Sequence, residues 1–292
     1  MVTVHNFSNG LLNPALGYAI SCVGAFLGLR CVTLARAYDG FARARGLGLA
    51  AVSIGATGIW AMHFIAMLGF SIPGQQILYK VPTTIASMLV AVAVVGVGLF
   101  IVGFGDGSRP RLAAAGVIVG VGVAAMHYLG MAAMSMRDSM SYDVPLVLLS
   151  VLIAIVAGTA ALWAGTRVNS AGATIGAALI MGVAVSGMHY TAMAALHVAR
   201  APMPSLAVAR AAGLPSVSGT TAAVFLIPLL LVISIATFAV TLTISMSPGE
   251  EEIQADAEMQ RRVEYLEQRQ AWSQGVGGPN SAPPWSVPDD RF

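Results

Sequence analysis

A short motif that combines histidine with methionine occurs three times in the sequence. Imidazole nitrogen and thioether sulfur both bind metals; thioether favours Cu(I), and imidazole accepts either copper oxidation state. The motif contains no carboxylate, so magnesium and calcium, which require oxygen ligands, are not expected. The pattern therefore predicts a copper site. The copies are Met62-His63-Phe64-Ile65-Ala66-Met67, Met126-His127-Tyr128-Leu129-Gly130-Met131 and Met188-His189-Tyr190-Thr191-Ala192-Met193.

The spacing of the copies predicts that the three histidines meet at one depth in a membrane. His63, His127 and His189 are 64 and 62 residues apart, which is two membrane-spanning helices each time. The three helices that carry them therefore run in one direction, with each motif roughly 5–8 residues from the same end. Within a motif, the histidine and the second methionine are four residues apart and share a helix face, whereas the first methionine is expected to pack. The predicted metal ligands are His63, Met67, His127, Met131, His189 and Met193.

Other residues could extend this face or reach its rim. Helix four would add Met134, helix six would add His197, and Cys22 and His5 could come close. For Cys22, Cys31 and His5, simple packing is the stronger interpretation. A single buried histidine often makes a hydrogen bond between helices, and a single methionine often fills apolar space. Three copies at one depth favour a function, because ionisable groups inside a membrane are costly.

The composition places the motifs in a polytopic membrane protein. Of the 292 residues, 57% are hydrophobic and 10% are charged, whereas a soluble domain carries about 25% charged residues. All carboxylates lie in predicted loops or after residue 249, so a carboxylate-based ion pump is not expected. The single lysine, Lys80, lies in a loop, which excludes a retinal Schiff base. A net charge of +2 gives no reason to expect nucleic acid as a partner.

Seven apolar stretches are long enough to cross a bilayer, which needs about 20 residues each. The predicted fold is all-α, with three two-helix repeats and one extra helix. A second repeated sequence supports duplication of a two-helix unit, since Tyr79-Lys80-Val81-Pro82 resembles Tyr142-Asp143-Val144-Pro145. The glycine pairs Gly116/Gly120 and Gly172/Gly176 predict close helix approach. The predicted spans are 14–36, 47–71, 81–104, 111–135, 144–166, 172–197 and 221–246.

Basic loop residues predict the orientation. Six arginines lie on one side of the predicted membrane domain, against four basic residues on the other, which puts the N-terminus outside and the C-terminus in the cytoplasm. Residues 8–246 form the predicted membrane domain, 247–272 a charged cytoplasmic helical segment, and 273–292 a disordered tail. The six are Arg36, Arg43, Arg45, Arg109, Arg111 and Arg167, and the four are Lys80, Arg137, Arg200 and Arg210.

Seven helices with M-H-[FY]-x-[GA]-M in helices two, four and six resemble the MHYT-domain family of bacterial integral membrane sensors. The resemblance implies a copper site near the outer face of the bacterial inner membrane. It also implies that this site senses a diatomic gas such as dioxygen, carbon monoxide or nitric oxide, with the six residues predicted above as ligands. Phe64 stands where the other motifs have tyrosine, so the aromatic residue is not expected to be an essential ligand.

Members of this family often carry cytoplasmic domains that make or degrade cyclic di-GMP. Here about 45 residues follow the last predicted helix. We therefore expect no enzymatic activity in this chain, and signalling through a cytoplasmic partner that contacts residues 250–270.

Three other functions fit the same residues. Two of the three histidines could be the axial ligands of a haem. The methionine and histidine layer could be the entry site of a transporter for copper or a small solute, although no charged pathway continues toward the inner face. A purely structural scaffold would bind no metal and would tolerate loss of all three histidines.

Overall fold

Six helices that are long and apolar enough to cross a membrane dominate the described part of the chain. The computed structural model describes residues 3–136, 138–199, 216–218 and 250–273. The predicted seventh span (221–246), the tail from residue 274 and the loop residues Arg137, Arg200 and Arg210 lie outside these ranges. The helices are α1 (Leu12–Arg36), α2 (Gly40–Val52), α3 (Met62–Met67), α4 (Val81–Gly103), α5 (Arg109–Ala133), α6 (Val144–Arg167), α7 (Ala171–Ala194) and α8 (Glu250–Ser273).

The second of the six spans is a composite helix, Gly40–Met67. It consists of α2, a π-helical stretch at Ser53–Ala61 and α3. All nine residues of the π-helical stretch are buried, and this span is the most buried of the six. Short π-helical insertions often occur beside functional sites. Here the insertion comes directly before the first histidine motif.

The six spans form a closed ring. Each span packs against the next one in the chain, and α7 packs back against α1. Connections of three to five residues join α1 to α2, α4 to α5 and α6 to α7, so these pairs are antiparallel. The α3, α5 and α7 segments therefore run in one direction. Arg36, Arg109 and Arg167 lie at the ends joined by these short connections, which we call the arginine end.

The opposite end of the ring carries five short strands, which the prediction of a purely helical fold misses. Strand β1 pairs antiparallel with β2 and β5, β3 pairs antiparallel with β4, and His5 bridges Ser71. The His5–Ser71, β1–β2 and β3–β4 pairings each join residues before an odd-numbered span to residues after the next span. We call this the strand end. The strands are β1 (Leu78–Lys80), β2 (Met134–Ser135), β3 (Ser139–Tyr142), β4 (Leu196–Ala199) and β5 (Ser216–Ser218).

Strand pairing and local charge pairing explain where the observed spans differ from the predicted ones. The second span begins at Gly40 rather than residue 47, and in this added stretch Arg43 is paired with Asp39 at 2.9 Å and donates hydrogen bonds to two backbone carbonyls. The fourth and sixth spans end at Ala133 and Ala194, because the residues that follow enter β2 and β4. The repeated Tyr-x-Val-Pro sequence marks the end of a strand and the first turn of a helix in both copies.

One of the two glycine pairs brings helix backbones together. A methyl group on Gly116 would meet the Thr159 side chain at 2.0 Å, and one on Gly120 would meet the Ile155 Cα at 2.3 Å. The prediction of close approach is therefore correct for α5 against α6. At Gly172 and Gly176 a methyl group would meet no described atom within 4 Å, so the described residues show no close approach there.

The C-terminal compact unit, Ser245–Phe292, contains α8. Its apolar residues Met259, Val263 and Leu266 recur at helical spacing and are about half exposed or more. Charged residues occupy much of the remaining helix surface.

Replacing Gly120 with alanine should destabilise the ring, because the added methyl group would overlap the backbone at Ile155. Overpacking of this kind costs about 1–3 kcal/mol. The control is Gly176→Ala, which adds the same group at a position of α7 where no described atom lies within 4 Å. Thermal unfolding of both variants in one detergent measures the difference. Equal losses in the two variants would contradict the close approach.

Candidate metal centre

The three motif histidines lie together near the strand end of the ring. His63, His127 and His189 come four, six and five residues before the last residues of α3, α5 and α7. Their exposed fractions are 1%, 0% and 1%. The prediction that three parallel helices bring the imidazoles to one depth is therefore correct. The mean helix rise of about 1.5 Å per residue makes the remaining offsets only a few ångströms.

The Nδ1 atoms of the three rings converge. His189 Nδ1 lies 3.1 Å from His63 Nδ1 and 3.3 Å from His127 Nδ1. Ligand atoms of all three side chains lie within 4.8 Å of one another. Adjacent rings meet edge-on, with centroids 4.8–5.1 Å apart. Each ring thus directs the same nitrogen toward a shared point.

Hydrogen bonding among neutral imidazoles does not satisfy this arrangement. The Nδ1 of a neutral ring either carries one proton or has one lone pair, so His189 Nδ1 makes one good hydrogen bond with a neighbouring Nδ1 and not two. A metal ion, by contrast, accepts a lone pair from each of the three nitrogens. With metal–nitrogen bonds of about 2.0–2.1 Å, tetrahedral or trigonal geometry separates ligand nitrogens by about 3.3–3.6 Å. The observed contacts are close to that separation.

In two of the rings, the other nitrogen, Nε2, lacks a hydrogen-bond partner among the described residues. His63 Nε2 and His127 Nε2 are buried without a hydrogen-bond partner in the described part of the chain. Buried polar atoms normally have partners, and exceptions require an explanation such as a ligand site. The fit to a metal ion rests on the converging Nδ1 atoms, and Nε2 would then carry the proton. Most metal-bound histidines have a partner on the second nitrogen, which these two rings lack among the described residues.

Gly130 makes room for the first histidine. A methyl group at Gly130 would lie 2.5 Å from His63 Nε2 and 3.0 Å from its Cδ2. The position belongs to the second motif, where the other copies have Ala66 and Ala192. The small residue in M-H-[FY]-x-[GA]-M is thus a packing requirement here, because the His63 ring lies directly over the α5 backbone.

Aromatic rings surround the histidines. Phe64, Tyr128 and Tyr190 each meet the preceding histidine edge-on, with centroids 4.8–5.0 Å apart. The Tyr128 hydroxyl is 3.0 Å from Ser150 Oγ on α6, so it is engaged away from the cluster. The Tyr190 hydroxyl is buried without a hydrogen-bond partner among the described residues. That the aromatic residue is not an essential ligand therefore stays a prediction.

Two loop tyrosines complete this aromatic shell. Tyr79 of β1 contacts Phe64, and Tyr142 of β3 contacts Tyr128. Burial raises the pKa of both phenols, that of Tyr142 to about 12 with a smaller contribution from Tyr128. Both rings therefore stay neutral at physiological pH.

All six motif methionines are buried. Met67, Met131 and Met193, the predicted ligands, are 2%, 0% and 3% exposed. Met62, Met126 and Met188, expected to pack, are also fully enclosed. Burial alone does not separate the two sets, so the thioether ligands remain a prediction from helix periodicity.

Of the four residues that could extend the site, His5, Cys22 and His197 lie outside the histidine cluster, and Met134 lies beyond the end of α5. Helix α5 ends before Met134, whose backbone enters β2. Helix α7 ends before His197, which is exposed in β4. Cys22 contacts Gly182, seven residues before His189 and therefore about two helical turns away. His5 is exposed, and its backbone pairs with Ser71.

Several supporting residues were not found from the sequence. Trp60 is fully buried in the π-helical stretch, packs on Phe64, and donates from Nε1 to Ser87 Oγ at 3.0 Å. Asn13 of α1 donates to the Ile65 carbonyl inside the first motif at 2.8 Å. In the sequence, both residues could be noticed only as a polar or indole group inside an apolar segment, where such a group needs a hydrogen-bond partner.

Loop contacts at the strand end hold the cluster's surroundings in place. Ser8 Oγ donates to the Gly69 carbonyl at 2.7 Å, just after the first motif. Phe7 stacks on Tyr190 with centroids 5.4 Å apart. Gln75 Nε2 donates to the Asp138 carboxylate. The N-terminal segment and the loops after two of the motifs thus contact the same end of the ring.

Comparison with known proteins places these features in a recognised group. Residues 57–115 and 120–178 match MHYT, described as "Bacterial signalling protein N terminal repeat". The chain is 39% identical over 194 residues to the bifunctional diguanylate cyclase/cyclic di-GMP phosphodiesterase MucR of Pseudomonas aeruginosa. It is 38% identical over 151 residues to the cyclic di-GMP phosphodiesterase NbdA of the same species, and 31% identical over 145 residues to the signaling protein YkoW of Bacillus subtilis.

These similarities cover different shares of the proteins compared. The matched regions are 65%, 48% and 47% of this chain, but 27%, 18% and 18% of MucR, NbdA and YkoW. The chain therefore spans about a quarter or less of the relatives' length. No solved structure matches it.

Replacing Gly130 with alanine should displace the His63 ring, because the methyl group would overlap its Nε2 edge. Gly187→Ala is the control, since it adds the same group before the third motif where no described atom lies within 4 Å. The ¹⁵N signals of labelled histidine side chains report the change. Unchanged His63 signals in Gly130→Ala would contradict the packing described here.

Proposed function

The chain belongs to the MHYT family of bacterial signalling proteins, and from this we propose that it is a membrane sensor that binds copper among the three motif histidines. The observation that carries the proposal is the convergence of three Nδ1 atoms, with His189 Nδ1 3.1 and 3.3 Å from the other two. The proposed ligands are His63, Met67, His127, Met131, His189 and Met193.

The chemistry of the donors supports copper. The cluster contains imidazole nitrogens, each motif adds a buried thioether on the histidine's helix face, and the histidine group contains no carboxylate. Imidazole and thioether together suit Cu(I), and imidazole alone also suits Cu(II). A site that tolerates both oxidation states suits a response to a redox change or to a diatomic gas that binds the metal.

The geometry favours a single ion over haem. A haem with two histidine ligands holds their nitrogens on opposite faces of the macrocycle, roughly 4 Å apart, which is twice a metal–nitrogen bond of about 2.0 Å. Here the contacts are 3.1 and 3.3 Å, and the rings meet edge-on with no gap for a macrocycle. Transport of copper through the ring is also disfavoured, because the interior beyond the histidines is lined by apolar residues.

We place the histidines near the outer face and the arginine end in the cytoplasm. Arg36, Arg109 and Arg167 lie at one end of the ring, as the positive-inside rule expects of cytoplasmic loops. In this proposal three two-helix units, each with its own strand pairing, build the ring, and the segment at 221–246 adds a seventh helix. The bilayer then surrounds the exposed apolar residues of the spans.

Signalling would pass from the metal to a cytoplasmic partner. A change in coordination acts on α3, α5 and α7 together, because each supplies one histidine. Differential ligand binding shifts the equilibrium between helix packings. Two of the relatives, MucR and NbdA, are named as enzymes that make or degrade cyclic di-GMP. We therefore propose a partner of that class, contacted through residues 250–270 in the charged α8. No reaction is proposed for this chain.

The triple variant His63→Ala/His127→Ala/His189→Ala should lose bound copper while still inserting into the membrane. The matched control is His5→Ala/His197→Ala, which removes two exposed histidines outside the cluster. Elemental copper and iron per chain, measured in detergent-purified protein, decide the result. Stoichiometric copper in the triple variant would refute the site. Iron together with a Soret band in the wild type would show that the cofactor is haem and not copper.

Replacing Met67, Met131 and Met193 with leucine should weaken Cu(I) binding more than Cu(II) binding, because thioether prefers Cu(I). The control replaces Met62, Met126 and Met188, and the exchange nearly conserves volume in both sets. Competition with a colorimetric Cu(I) chelator measures the affinity. We expect a loss of about tenfold or more in the first set only. Equal affinities in the two sets would exclude the thioethers as ligands.

A further inference from the structure

A cavity of about 50 Å³ lies inside the ring of six spans. Every span contributes to its wall, so the cavity is a feature of the whole ring and not of one helix pair. One residue from each span illustrates this: Leu29, Ile59, Val95, Val123, Ala154 and Val185.

The cavity begins one helical turn from the histidines. Ile59, Val123 and Val185 lie four residues before His63, His127 and His189, on the same side of their helices. Met188, next to His189, also lines the wall. The histidine cluster therefore lies about one helical turn beyond the cavity, on the side of the strand end.

The lining determines what the cavity can hold. It consists of aliphatic, methionine and glycine residues, and none of these side chains donates a hydrogen bond. A buried water needs two to four polar partners, so the wall does not suit water. Apolar cavities of this kind bind xenon and other small apolar molecules. A volume of about 50 Å³ suits a molecule of two or three atoms.

A second cavity continues toward the arginine end. Its volume is about 110 Å³, and it shares Val32, Leu99, Leu162 and Gly165 with the first. Its wall also contains Arg36 and Arg43. The two cavities share these four wall residues, so the space below the histidines continues toward this end, where its wall becomes charged.

We propose that the cavity below the histidines is a docking site for a neutral diatomic gas, held one helical turn from the cluster. The identity of the ligand as a gas rests on the proposed function, whereas the binding of a small apolar molecule rests on the wall alone. A gas concentrated here reaches the Nδ1 centre from inside the ring. Charged and hydrogen-bonding ligands gain no partner from the wall and are rejected.

The test is xenon binding in lipid-grown crystals of the full chain, without added metal. Xenon should appear between Val95, Val123 and Ala154. Ala161→Leu places three more carbon atoms on the wall and should abolish the xenon peak. Ala160→Leu, the adjacent exposed residue of α6, makes the same change outside the wall and should keep the peak. Leu162→Ala removes atoms from the wall and should keep or strengthen the peak, so it tests the cavity with a second variant that does not depend on the folding of Ala161→Leu.

Dioxygen under pressure should lower xenon occupancy, because both compete for one cavity. No xenon peak in the wild type, equal peaks in Ala161→Leu and Ala160→Leu, or a lipid acyl chain in the cavity would overturn the proposal. Xenon occupancy that dioxygen leaves unchanged would overturn the assignment to a diatomic gas. The triple histidine variant separates this inference from the copper proposal, because xenon binding should persist there while copper is lost.

Discussion

The constraint on which the rest of the structure depends is the burial of three imidazoles at one point inside an apolar bundle. Each ring directs Nδ1 to the others, and hydrogen bonds among neutral rings leave this contact incompletely satisfied. Unpartnered polar groups are costly away from water, so the surroundings must hold the rings in place. The glycine at position 130, the aromatic shell and the paired loops at the strand end all serve this arrangement.

Inside the ring of six spans, the polar histidine layer is separate from the apolar cavity. The histidines occupy a single layer near the strand end, and the interior on the other side is lined by apolar residues as far as the arginine-bearing second cavity. Because the three histidines come from three helices, any ligand at their centre acts on half of the ring at once. Packed helices tend to have discrete arrangements, which suits a structure that reports a local event over a distance.

Much of this arrangement was predictable because it follows from helix periodicity and motif spacing. Six predicted spans were found in the described part of the chain, and the equal depth of the histidines followed from two crossings between motifs. The errors lie where chain segments meet. His197 was assigned to a helix, but strand pairing takes it out of α7. Gly172 and Gly176 have the same spacing as Gly116 and Gly120, yet among the described residues only the latter pair meets a neighbouring helix.

The sequence by itself determined the membrane class, the direction of the helices and the side chains available for metal binding, since these depend on local hydropathy and residue spacing. Tertiary structure decided that Nδ1 is the converging nitrogen, that Gly130 supports His63, and that a cavity lies beneath the cluster. These features depend on which helices become neighbours and how closely their backbones approach. Such contacts join residues far apart in the chain, and no local pattern encodes their distance.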